Sequence, residues 1–152
     1  MNFWLMKSEP DDFSIDDLAQ RKSEPWNGVR NYQARNFMRD GMAVGDAAFF
    51  YHSNCHQPGI VGVAEIARAA YPDPTQFDPK SPYFDAGSSR EDPRWVVVDV
   101  KFKRKLEREI PLVELKTTQP LQDFALVRRG NRLSVMPVSP AQWDYILTLE
   151  RK

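Results

Sequence analysis

At 152 residues, with 41% hydrophobic and 28% charged positions, the chain has the proportions of a single globular domain spanning residues 1–152. Twenty-one Lys and Arg balance twenty-one Asp and Glu, so there is no bulk positive field to hold nucleic acid or an anionic membrane, and any such binding must be local. Apolar stretches such as Ala47 to Tyr51 and Trp95 to Val98 fall far short of the roughly 20 residues of a membrane helix, and a lone cysteine, Cys55, excludes an intramolecular disulfide.

In chain order, Phe3 to Met6 predicts a first strand, ended by Lys7-Ser8-Glu9-Pro10, where the proline pushes Glu9 out of the helical region. Met1 to Glu9 lacks the basic head, apolar run and small-residue cleavage site of a secretory signal, so the cytoplasm is the expected compartment. Ser14 offers an N-cap with Asp16 and Asp17 in the first turn, predicting a short helix through Leu18. A second helix is expected from Tyr32 to Arg39, capped by Asn31 and closed by Gly41, with Arg35 and Arg39 on its exposed face. Ala47 to His52 and Ile60 to Ala69 are β-prone runs joined by a loop too long for a two-residue turn, giving a wide hairpin.

Tyr71 to Pro93 contains five prolines together with Tyr83 and Phe84 and reads as an irregular loop of the kind that carries function. Arg94 to Leu106 predicts a long strand, with Val96, Val98, Val100 and Phe102 facing the core. Pro111 and Pro120 open short helical segments, Gly130 ends the second, and Leu133 to Val138 is another strand. Ser139-Pro140 then starts a terminal helix with Trp143, Ile146 and Leu147 on its apolar stripe. Strands and short helices mix without βαβ regularity. The expected class is α+β, a small, mostly antiparallel β barrel or curved sheet with short helices packed at its edges.

Charge is unevenly distributed. Residues 1–100 hold 10 basic and 15 acidic side chains, whereas residues 101–152 hold 11 and 6. The densest basic run, Lys101, Lys103, Arg104, Lys105 and Arg108, is joined later by Arg128, Arg129 and Arg132; such runs are usually solvated faces. The segment Trp26-Asn27-Gly28-Val29-Arg30-Asn31-Tyr32-Gln33-Ala34-Arg35-Asn36 is more unusual. It combines rings for stacking, amides able to read a base edge, and guanidinium groups with a helix N-terminus for a phosphate. The plainer alternative is a loop whose amides cap its own helix ends. Trp4, Trp95 and Trp143 sit in apolar patterns and are expected in the core, and Trp26 is expected outside it.

Taken with Trp4 to Pro10, Tyr51 to Asn54, Gly59 to Gly62, Arg94-Trp95, Val98 to Val100 and Arg132 to Val138, this segment makes the chain resemble the EVE domain family. That family belongs to the PUA-like superfamily, with the YTH and ASCH domains. Met136 departs from the pattern, which commonly has glutamine there. The resemblance implies a PUA-like fold with a pocket for a modified base in nucleic acid, DNA rather than RNA. The base would be a methylated or hydroxymethylated cytosine or a methylated adenine, bound without catalysis and without cofactor or metal. By matching positions, Lys7 and Ser8 stand at the pocket mouth, and Trp26, with Gly28 and Val29 beside it, forms a wall. Arg30, Asn31 and Gln33 are the expected polar contacts and Ser53 and Asn54 the floor. Likeness to YTH domains implies a second ring from the long loop, Tyr83 or Phe84. Arg35, Lys103, Lys105 and Arg132 are the expected phosphate contacts.

Two readings from other classes stand beside it. His52, Cys55 and His56 lie within five residues and suggest a small nucleotide-processing hydrolase or a zinc site, although no remote fourth Cys or His exists. Alternatively, Tyr71 to Phe84 forms a protein-interaction surface, with a monomer as the expected state otherwise.

Overall fold

A computed structural model describes residues 1–152. Six strands form one mixed sheet: β1 (Phe3–Ser8), β2 (Ser23–Pro25), β3 (Ala47–His52), β4 (Gly59–Pro72), β5 (Val96–Pro111) and β6 (Val135–Val138). Their order is β2-β5-β4-β3-β1-β6. All neighbours are antiparallel except β1 and β3, which run parallel with Lys7 opposite Tyr51 and Ser8 opposite His52. The α+β class and the largely antiparallel character agree with the sequence. The sheet does not close into a barrel: β2 and β6 are its free edges. The sheet is nonetheless bent, because Pro25 from one edge and Ser134, beside the other, line the same cleft.

The runs FWLM and AAFFY are continuously apolar because both faces of the sheet are covered, so neighbouring residues enter different cores. Trp4, Met6, Ala48 and Phe50 join one cluster, with α1 (Ile15–Arg21) packed on it through Ile15 and Leu18. Leu5, Phe49 and Tyr51 join the other, covered by α3 (Leu112–Thr117) and α4 (Pro140–Leu149). The serine caps are present as predicted: Ser14 and Ser139 each accept from the N3 backbone N–H and complete capping boxes with Asp17 and Gln142. Of the stripe expected on α4, Trp143 and Ile146 are buried, and Leu149 rather than Leu147 completes it.

Several elements differ from expectation, among them β2, for which no strand was expected, and β5, which runs on to Pro111. α2 covers only Tyr32–Asn36, and the chain widens into a π-type turn, Phe37–Gly41. This turn lets Met38 and Met42 both enter the core, while Gly41 lies so close to the Trp4 ring that a Cβ there would approach it to 2.8 Å. The helix expected from Pro120 is two separate 3₁₀ turns, Gln119–Leu121 and Ala125–Val127, which bury Leu121 and Phe124. β6 begins at Val135, two residues later than predicted.

Candidate functional site

The parallel pair β1/β3 delivers Ser8 and Ser53 to one end of the sheet, where the Ser53 N–H donates to the Ser8 carbonyl (3.0 Å). A cleft of about 620 Å³ opens there, within the range of ligand-binding cavities. Lys7, Ser8 and Ser53, the segment Trp26 to Val29, and Tyr83 and Ser134 all line it. Of the residues expected at the pocket, Lys7, Ser8, Trp26, Gly28, Val29, Ser53 and Tyr83 therefore come together. Arg30, Asn31, Gln33, Asn54 and Phe84 do not line it.

Trp26, expected to stand clear of the core, is only 8% exposed. Its backbone N–H donates to the Val98 carbonyl (2.8 Å). The indole packs edge-on against Phe50 (5.5 Å, 87°) and Phe13 (6.4 Å, 83°). It is both a core residue and a cleft wall, and its sequence neighbours Pro25 and Asn27 hid the first of these roles.

Gly28 adopts φ +81°, and a Cβ there would come within 2.6 Å of Tyr83, whose ring lies against the glycine and is 38% exposed. Asp73 organises this contact. Fully buried, it accepts from the Gly28 N–H (2.9 Å), Arg30 Nη1 (3.1 Å), and the Thr75 N–H (2.8 Å) and hydroxyl (2.6 Å). Arg30 Nη2 also donates to the Tyr83 carbonyl (2.8 Å). Arg30 thus braces the long loop against the recognition segment. The missed signal for Asp73 was its place before Pro74-Thr75, as N-cap of a tight turn.

The other amides have similarly local duties. Asn31 Oδ1 accepts from the Ala34 N–H (2.9 Å) as the cap of α2, Gln33 faces solvent, and Asn54 donates to Glu9. Met136 is fully buried in the opposite core, so the departure from the family pattern does not touch the cleft.

The cleft is acidic where the sequence led us to expect only a turn. Glu9, Asp11, Asp12 and Glu24 line it, against the cations Lys7 and Arg21. Hydrogen bonding and charge from Glu9 raise the Asp12 pKa, and burial lowers that of Lys7. The expected phosphate contacts are mostly occupied. Lys103 pairs with Glu65 (3.5 Å) and Lys105 with Asp16 (2.9 Å). Arg35 donates to the Arg94 carbonyl (2.8 Å) and lies 4.8 Å from the Tyr32 ring centroid. Only Arg132 is exposed without an ion pair.

The histidine and cysteine cluster does not assemble a centre. His52 Nε2 accepts from the Ile15 N–H (3.1 Å), which occupies the lone pair a base or metal ligand needs. His56 sits in a separate hollow with Pro58 and Pro111.

Known proteins are similar to this chain over nearly all of its length. A profile of the EVE domain matches residues 2–149. Thymocyte nuclear protein 1 of Mus musculus is 51% identical, over 98% of this chain and 74% of its own. A crystal structure of a Pseudomonas syringae protein is 51% identical with TM-score 0.94, covering 97% of this chain and 99% of that one. The human THYN1 protein, crystallised in complex with 5-methylcytosine-containing DNA, is 45% identical with TM-score 0.94, covering 100% and 99%. On sequence and on fold, this chain belongs to the EVE domain family.

Proposed function

We propose that this chain is a non-enzymatic reader of DNA carrying 5-methylcytosine, with the modified base turned out of the helix into the cleft. The observation that carries the reading is the cleft itself: an exposed ring, Tyr83, beside a buried indole edge, closed below by the ends of two parallel strands. A flipped base stacks on such a ring, at about 1 to 3 kcal/mol per base. The carboxylates at the margin suit cytosine, because its exocyclic amine donates where a thymine would present an oxygen. The similar human protein crystallised with 5-methylcytosine DNA supports the same choice. No nucleophile or free base faces the cleft from the histidine cluster, since the acceptor of His52 is engaged, which favours binding over turnover. The site of action is then wherever DNA is held, a narrower expectation than the general cytoplasm.

Burying one extra methyl contributes about 0.8 kcal/mol, roughly a fourfold preference. Matched oligonucleotides that differ only in 5-methylcytosine, 5-hydroxymethylcytosine, N6-methyladenine or no modification test this. Tightest binding to 5-methylcytosine is expected. Equal affinity across the panel overturns the reading.

A further inference from the structure

An acidic cleft cannot by itself hold a polyanion, so the backbone on either side of a bound base must be received elsewhere. A second cavity, of about 490 Å³, shares Lys7 with the first. Its lining has the opposite character: Lys7, Lys116, Arg128 and Arg129, with no carboxylate. Lys116, Arg128 and Arg129 are exposed and belong to no ion pair. The cations of β5 present the contrast, because Lys101, Lys103, Arg104, Lys105 and Arg108 are each held by a carboxylate. Lys7 stands between the two cavities, half-buried, with Nζ 5.7 Å from the centroid of the Tyr51 ring, which lines the basic cavity.

We propose that Lys116, Arg128 and Arg129 form the phosphate-binding tract of this protein, and that Lys7 joins it to the base cleft. The tract takes the DNA backbone adjacent to the flipped nucleotide, and it rests on the base-reading function above for its register. Unpaired cations release counterions on binding, whereas lysines already neutralised by Glu65 and Asp16 must first give up a partner. Beside the two arginines, Gly130 is exposed, and a Cβ there would meet no atom within 4 Å.

The test compares Arg128→Glu/Arg129→Glu with Lys103→Glu/Lys105→Glu, using one duplex with and without 5-methylcytosine over several salt concentrations. Thermal melting checks that each variant folds, and Arg128→Ala/Arg129→Ala separates loss of charge from its reversal. The arginine pair is expected to weaken binding to both duplexes at least about tenfold. It should reduce the slope of log affinity against log salt by about 2, at about 0.9 per contact, and leave the methyl preference unchanged. The lysine pair is expected to leave the slope near wild type. An unchanged slope in the arginine variants overturns the tract, and an equal loss in both pairs overturns it as a bulk-charge effect. A wild type that loses slope with the arginines but never prefers 5-methylcytosine refutes the base reading and leaves the tract standing. A wild type that binds neither duplex refutes both.

Discussion

Trp26 shows how one side chain can belong to the core and to the site at once. Truncating it empties the space between Phe13 and Phe50, so Trp26→Ala is expected to destabilise the fold by about 3 to 5 kcal/mol, measured by chemical denaturation, besides weakening binding. A variant of unaltered stability would put the indole outside the core. His52 carries a pH dependence of known sign. Burial depresses its pKa below the ordinary 6.5, and its Nε2 accepts from Ile15 only when neutral. As pH falls, the unfolded chain therefore takes up the proton first, and stability declines from about pH 6.5 downward. Melting curves between pH 7.5 and 5 should show this decline, and His52→Gln should flatten it. The sequence displayed the residue types of the site well, but not their duties. Arg30 and Asn31 looked like ligand contacts because unpaired donors and satisfied ones are written with the same letters, and only the fold reveals Asp73 and the Ala34 N–H as their partners.

Among the elements, the long loop and the recognition segment act as one unit. Arg30 ties Asp73, Thr75 and Tyr83 together and lies 5.3 Å from the centroid of the Trp95 ring. Arg30→Ala should speed amide exchange over residues 73–85 and lower affinity for methylated and unmethylated DNA alike through a loosened Tyr83. It should leave the salt slope unchanged, since no phosphate contact is lost. A reduced slope would instead return Arg30 to the nucleic-acid surface. Strands and caps were legible because local rules set them: alternation and apolar runs for β1, β3 and β5, serine caps for α1 and α4. The π-type turn after α2 was not, because it answers to the Trp4 ring from a distant strand. That the sheet stays open was equally illegible, since edge pairing is a long-range property that no local pattern encodes.

For the whole molecule, neutrality divides affinity from selectivity. A chain with balanced charge and a few free cations is expected to give a salt slope of roughly −2 to −4 on duplex DNA, with a methyl preference that hardly varies with salt. Titration at two or more ionic strengths measures both. A preference that collapses in parallel with affinity would make the interaction a surface effect. The basic run of β5 was visible in the sequence, but the pairing of Lys103, Arg104 and Lys105 was not, because Glu65, Glu150 and Asp16 lie far away in the chain.

β1 is first in the chain yet lies between β3 and β6, and the Lys7 N–H donates to the Ser134 carbonyl (2.8 Å). A polypeptide leaving the ribosome amino end first therefore releases one lip of the cleft long before the strand that fixes it. β1 can pair with β3 soon after both are made, but its other edge waits for β6. The cleft is therefore assembled late, and a nascent chain halted before residue 135 lacks the strand that completes it.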